Sequence, residues 1–206
     1  MKKIGIFGGT FDPIHFGHLN LAIELMEKKD LNEVWFVPAQ INPHKLEKNP
    51  PVSLEHRLAM LQLATEDTPG FIVQDIEGKR PSPSYTVDTL REFIANEKQE
   101  TSPNQFYLIL GEDSIPGFFQ WHLPDEIIKL TPLLIGSRSG LWTYDNPGVD
   151  PVIKEAIQKG LTQTRIMDIS STEVRDRLEK KLYSGHLIPA KVLAYIKQNQ
   201  LYQSNR

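Results

Sequence analysis

The stretch Lys3-Ile4-Gly5-Ile6-Phe7-Gly8-Gly9-Thr10-Phe11-Asp12-Pro13-Ile14-His15-Phe16-Gly17-His18 decides the fold. Its opening, Lys3 to Phe7, reads as a short apolar strand, and Leu19, Ala22, Ile23 and Met26 follow at helical spacing. Two glycines in the connection let backbone come close to a ligand. Two histidines stand three apart, with His18 at the expected helix start, so one face can present both imidazoles to an anion. A helix that begins where a strand ends offers free N–H groups and the positive end of its dipole to a phosphate.

Outward from this unit the same alternation continues. Val34 to Val37, Phe71 to Val73, Phe106 to Leu110 and Leu133 to Ile135 read as further strands, and Arg165 to Ile169 as a sixth. Leu54, Leu58, Leu61 and Ala64 mark a second helix, and Val87 to Ala95 a third. Strands apolar on both faces and separated by helices predict an α/β fold, a doubly wound parallel sheet with ligands at the carboxyl ends of its strands. Val174, Leu178 and Leu182, then Val192, Leu193 and Ile196, predict two closing helices without a strand between them. Residues 1–206 are therefore expected to form a single domain with a helical end from about residue 170. Asn42 to Ser53, Gly78 to Ser84 and Ser139 to Pro151 read as loops.

Composition narrows the function classes. Lys plus Arg is 23 and Asp plus Glu 26, a formal net charge of −3, which gives no reason to expect nucleic acid or an anionic membrane as partner. The absence of cysteine excludes disulfides, a thiol nucleophile and a thiolate zinc site. No stretch approaches the roughly 18 apolar residues of a membrane helix, and the start lacks the apolar region of a secretory signal. A cytoplasmic protein is expected. Association with further copies of itself stays open.

The familiar phosphate loops fail on spacing. Gly5, Gly8 and Gly9 do not form G-x-G-x-x-G, and G-x-x-x-x-G-K-[ST] is absent. A zinc reading of His15 and His18 lacks further ligands nearby, so no protein metal site is expected. Capping and loop packing would account for the histidines taken alone. A second candidate is Ile169-Ser170-Ser171-Thr172-Glu173-Val174-Arg175. Ser170 with Glu173 is a capping box, but hydroxyls, free N–H groups and Arg175 one turn in can also hold a polyphosphate.

Together, these two motifs resemble the nucleotidyltransferase superfamily with H-x-G-H after the first strand and I-S-S-T-x-x-R near the end. The resemblance implies that His15, His18 and Arg175 act on the nucleotide phosphates. Gly8, Gly9, Thr10, Phe11, Ile169, Ser170, Ser171 and Thr172 would line the ATP site. Three middle segments are similar to bacterial nicotinate mononucleotide adenylyltransferases: Pro43-His44-Lys45, Pro83-Ser84-Tyr85-Thr86-Val87-Asp88, and Gly111-Glu112-Asp113 with Trp121 beyond. On that likeness His44 and Lys45 bind the acceptor, Lys45 neutralising its phosphate, Trp121 stacks on the pyridine ring, and the N–H groups at Tyr85-Thr86 suit its carboxylate. Gly111, Asp113 and Arg138 would lie near the nucleotide. Trp121 as core, Lys45 as a solvated charge and Thr86-Asp88 as a cap are the plain alternatives.

The chemistry implied is in-line attack by the 5′-phosphate of nicotinate mononucleotide on the α-phosphorus of ATP. Pyrophosphate would leave with Mg²⁺ and no covalent intermediate would form. Rivals are the same transfer to nicotinamide mononucleotide or phosphopantetheine, and a non-catalytic nucleotide sensor.

Overall fold

The computed structural model describes residues 1–40, 52–80, 83, 85–97, 103–137, 148–165 and 167–203. Among the described residues six strands build one sheet: β1 (Lys3–Gly9), β2 (Glu33–Pro38), β3 (Phe71–Val73), β4 (Gln105–Gly111), β5 (Leu133–Ser137) and β6 (Leu161–Gln163). Their order is β3-β2-β1-β4-β5-β6, and every pairing is parallel. The strand order reverses between β1 and β4, so a crevice opens beyond their carboxyl ends.

Both faces of the sheet are covered, as its apolar strands require. On one face α1 (Phe16–Lys28), α2 (Leu54–Thr65), α7 (Ser171–Glu179) and α8 (Ala190–Gln198) bury Ala22, Leu25, Met60, Leu61, Val174, Val192 and Ile196 against Phe7 and Phe36. On the other, α3 (Thr86–Glu97), α4 (Ile115–Phe118), α5 (Pro124–Leu130) and α6 (Pro151–Gly160) bury Val87, Leu90, Phe118, Ile127 and Ile157 against Ile4 and Ile6. The alternation along β1 explains this split, since neighbouring side chains on a strand point to opposite faces. No helix of the described residues is long and apolar enough to cross a membrane.

Several expectations are corrected. The sixth strand is Leu161–Gln163 and not Arg165 to Ile169. Gly160 lies so close to the Leu133 carbonyl that a Cβ would meet it at 2.8 Å, so the chain enters the sheet as soon as α6 ends. It then leaves early, because side chains of α1 take its carbonyls: Lys28 Nζ donates to Gln163 O at 2.7 Å, and Asn20 Nδ2 to Arg165 O. On α1 the buried residues are Ala22, as expected, and Leu25, while Ile23 is 38% exposed. The inner face of α2 carries Arg57, Met60, Leu61 and Thr65, so Leu61 is buried as expected while Leu54, Leu58 and Ala64 are only partly buried. Leu182 lies past the end of α7 and is exposed. Helices α4, α5 and α6 were not anticipated, although Asp150 caps α6 and Pro151 opens it.

Candidate active site

At the crevice the two histidines form a reciprocal cap. His15 is the N-cap of α1 and His18 its third residue, not its start. The His18 N–H donates to His15 Nδ1 and the His15 N–H to His18 Nδ1, each at 3.3 Å. This is the geometry of a capping box built from imidazoles. The rings stack with centroids 3.6 Å apart. Because both Nδ1 atoms accept, both rings are assigned the neutral tautomer that carries its proton on Nε2. His15 is buried at 5% exposure, and burial lowers its pKa from 6.5 to about 4, so it stays uncharged at neutral pH.

Phe11 fixes the outer ring. Its φ of 49° is left-handed, a costly conformation for a bulky residue. It is held by edge contacts to Phe7 at 5.5 Å and His18 at 5.1 Å, and by Phe36 at 5.8 Å. Gly9 must be glycine, since a Cβ there would meet the Phe11 ring at 2.9 Å. Gly8 differs: a Cβ would meet nothing within 4 Å, and the position faces an open cavity.

That cavity, about 490 Å³, spans the β1 and β4 ends. The β1 loop contributes Gly8, Gly9, Thr10, Phe11 and His18. The β4 end contributes Gly111 and Asp113, whose carboxylate approaches so closely that a Cβ on Gly111 would clash with it. The opposite wall holds Tyr85, Thr86 and Trp121. Trp121 is half-buried and does both jobs: it lines the cavity and packs on the core cluster, its ring 5.3 Å from that of buried Phe118. The sequence reading passed over His122, which packs on Tyr85 at 4.5 Å, and Gln120 and Ser114 beside it.

The second motif is placed behind this loop. Ser170 caps α7, its hydroxyl accepting from Glu173 N at 3.1 Å. Ser171 Oγ donates to Pro13 O at 3.0 Å, and Arg175 Nη1 to Asp12 O at 2.7 Å. Arg175 Nη2 reaches Thr172 Oγ1 at 3.2 Å. None of Ile169 to Thr172, Arg175 or His15 is among the residues lining the cavity; Ser171 and Arg175 bond to its loop from outside. His44, Lys45 and Arg138 lie outside the described residues. Among the described residues no group of three or more His, Asp or Glu gathers as a metal site.

Three residues that hold the loop were missed. Arg57 on α2 is 1% exposed and spends its donors on carbonyls: Val52 at 3.0 Å, Thr10 at 2.9 Å, Ala39 at 2.7 Å and Gln40 at 3.2 Å. It thereby ties the loops after β1 and β2 together. Burial lowers its pKa, opposed by the charge of Asp12. Asp12 is itself buried and accepts from Val52 N and from the Tyr202 hydroxyl. Contacts between positions 12, 57 and 202 leave no local pattern in a sequence.

Comparison with known proteins shows the family of the chain. The cytidylyltransferase-like family model matches residues 6–177. The nicotinate-nucleotide adenylyltransferase of Bacillus subtilis is 38% identical over 204 residues, covering 99% of this chain and 100% of that protein. A protein of Dehalococcoides mccartyi, named a probable nicotinate-nucleotide adenylyltransferase, is 42% identical over 210 residues, with 97% of each chain covered. In fold, the chain matches the Plasmodium falciparum nicotinic acid mononucleotide adenylyltransferase complexed with NaAD. That match has a TM-score of 0.76 over 98% of both chains, at 22% identity.

Proposed function

The chain belongs to the nicotinate-nucleotide adenylyltransferase family, and on that premise we propose that it transfers the adenylyl group of ATP to nicotinate mononucleotide. The products are nicotinate adenine dinucleotide and pyrophosphate. The observation that carries this reading is the cavity itself. It joins an imidazole-capped helix start at one end to the Tyr85, Thr86 and Trp121 wall at the other.

An oxygen of the acceptor's 5′-phosphate attacks the α-phosphorus of ATP. The bond from that phosphorus to the bridging oxygen breaks, and pyrophosphate leaves with the electron pair. The acceptor phosphate is already ionised at neutral pH, so no general base is required. The His18 Nε2–H is a neutral donor whose direction is set before substrate arrives. Such preorganised donors stabilise charge as it moves between phosphate oxygens. His15 acts through His18, beneath which it stacks. Arg175 and the hydroxyls of Ser170, Ser171 and Thr172 take the outer phosphates. Mg²⁺ enters as part of the nucleotide substrate and offsets its charge. On the acceptor side the first turn of α3 offers N–H groups to the ring carboxylate, and Trp121 offers a stacking face. Where ATP is drawn on in this way, the cytoplasm is the proposed setting.

Pyrophosphate release tests the proposal directly, with ATP and Mg²⁺ and either nicotinate or nicotinamide mononucleotide. A clear kcat/KM preference for the nicotinate form is expected. Equal values, or preference for the amide, would overturn the acceptor assignment.

A further inference from the structure

Asp12 sits inside the first motif, yet nothing in the proposed transfer uses its carboxylate. It is 7% exposed and faces two guanidiniums, Arg57 and Arg175. One oxygen is fully occupied, accepting from the Tyr202 hydroxyl at 2.7 Å and from Val52 N at 3.3 Å. The other stands 3.8 Å from Arg175 Nη1, which donates instead to the Asp12 backbone carbonyl at 2.7 Å. The two charges thus form a loose ion pair, without the parallel hydrogen bonds of a bidentate one.

The chain goes to some length to bring the phenol there. After α8 the backbone turns back with φ of 53° at Gln200 and 59° at Tyr202, both in the left-handed region and neither a glycine. Such conformations persist where the surroundings over-determine them. Leu201 and Tyr202 pack on the core cluster that holds Phe7 and Phe11. Burial, and then the adjacent Asp12 charge, push the Tyr202 pKa upward, so the phenol remains a donor across the range in which the protein works.

We infer that Tyr202 is a positioning residue: its hydroxyl holds the Asp12 carboxylate away from Arg175, leaving that guanidinium oriented for the nucleotide phosphates. The inference rests on the adenylyl-transfer reading. Without the hydroxyl, Asp12 Oδ1 loses its shortest bond, and the carboxylate turns to the nearest cation. Arg175 is then drawn inward by about an ångström, and misplacements of that size cost up to about 10²-fold in rate.

The test compares Tyr202→Phe with Tyr195→Phe. The second removes the same group from the same end of the chain, where the Tyr195 hydroxyl meets His56 Nδ1 at 2.9 Å. Steady-state kinetics of pyrophosphate release and thermal midpoints are recorded for both. Tyr202→Phe is expected to lower kcat about tenfold with KM for the acceptor unchanged, while Tyr195→Phe stays within twofold of wild type. In an Asp12→Asn background the pull on Arg175 is gone, so adding Tyr202→Phe should change kcat less than twofold. The inference is overturned if Tyr202→Phe alone keeps kcat within twofold, if Tyr195→Phe loses as much, or if the loss persists unreduced beside Asp12→Asn. A wild type that releases no pyrophosphate overturns the adenylyl-transfer reading and this inference with it. An active wild type matched by Tyr202→Phe overturns this inference alone.

Discussion

Acid should weaken this protein through one side chain, and the size of the effect follows from the site. Folding buries His15 and lowers its pKa from 6.5 to about 4. The unfolded chain therefore binds more protons than the folded one between those values, and stability falls as pH drops through that window. With each pH unit worth about 1.36 kcal/mol, the whole gap amounts to about 3.4 kcal/mol, and about 2.5 kcal/mol of it is lost by pH 4.5. Protonation would also turn the Nδ1 that caps α1 from acceptor into donor, which works in the same direction. His15→Asn is the informative perturbation, because asparagine can still cap a helix but does not titrate. Urea unfolding of both proteins at pH 7 and pH 4.5 gives the measurement. Wild type should lose about 2.5 kcal/mol more than the variant between the two conditions. Parallel losses would refute the reasoning, since they would mean that His15 carries a proton as readily folded as unfolded.

Two further outcomes are expected. His18→Ala should lower kcat by about 10²–10³ and, through loss of the cap, stability by about 1 kcal/mol; kcat beside urea unfolding of the same variant separates the two, and a purely structural histidine would show only the second. Gly8→Ala should leave the thermal midpoint unchanged or slightly raised, since nothing lies within 4 Å of the new methyl group, while raising KM for ATP at least about tenfold where the nucleotide must approach the backbone.

The sheet was legible because its strands are buried on both faces and so read as continuous apolar runs, as at Phe106 to Leu110. β6 was not. Leu161-Thr162-Gln163 has only Thr162 buried, and the more apolar Arg165 to Ile169 drew the assignment four residues downstream. Of the residues that the spacing of the first motif and the family resemblance single out, His18, Tyr85, Thr86, Gly111, Asp113 and Trp121 line one cavity, while His15 lies behind His18. Two things hid the rest. Histidine is an unusual N-cap, so the reciprocal cap carries no sequence code comparable to that of Ser170 and Glu173. A buried arginine also looks like surface charge until its carbonyl partners are known, and those of Arg57 come from three separate places in the chain.

The same long-range bonds bear on what the helical end of the chain is for. The family model stops at residue 177, before α8. Yet the loop that the model recognises is not self-supporting. Phe16 N, at the start of α1, donates to Leu187 O at 2.9 Å. Asp12 takes its shortest side-chain bond from Tyr202, and Leu187, Ile188, Val192 and Ile196 share a core cluster with Phe7, Phe11 and Ile14. In the proposed transfer the β1–α1 loop meets the phosphates with neutral groups, backbone N–H and imidazole, and Arg175 adds the charge. The loop's strength must come from donors that are already in place when the nucleotide binds. On the proposed transfer, rigidity of the β1–α1 loop serves catalysis, and bonds from α2, α7 and Tyr202 after α8 supply it. Changes at Leu201 and Tyr202 should therefore be felt as loss of turnover before they are felt as loss of fold.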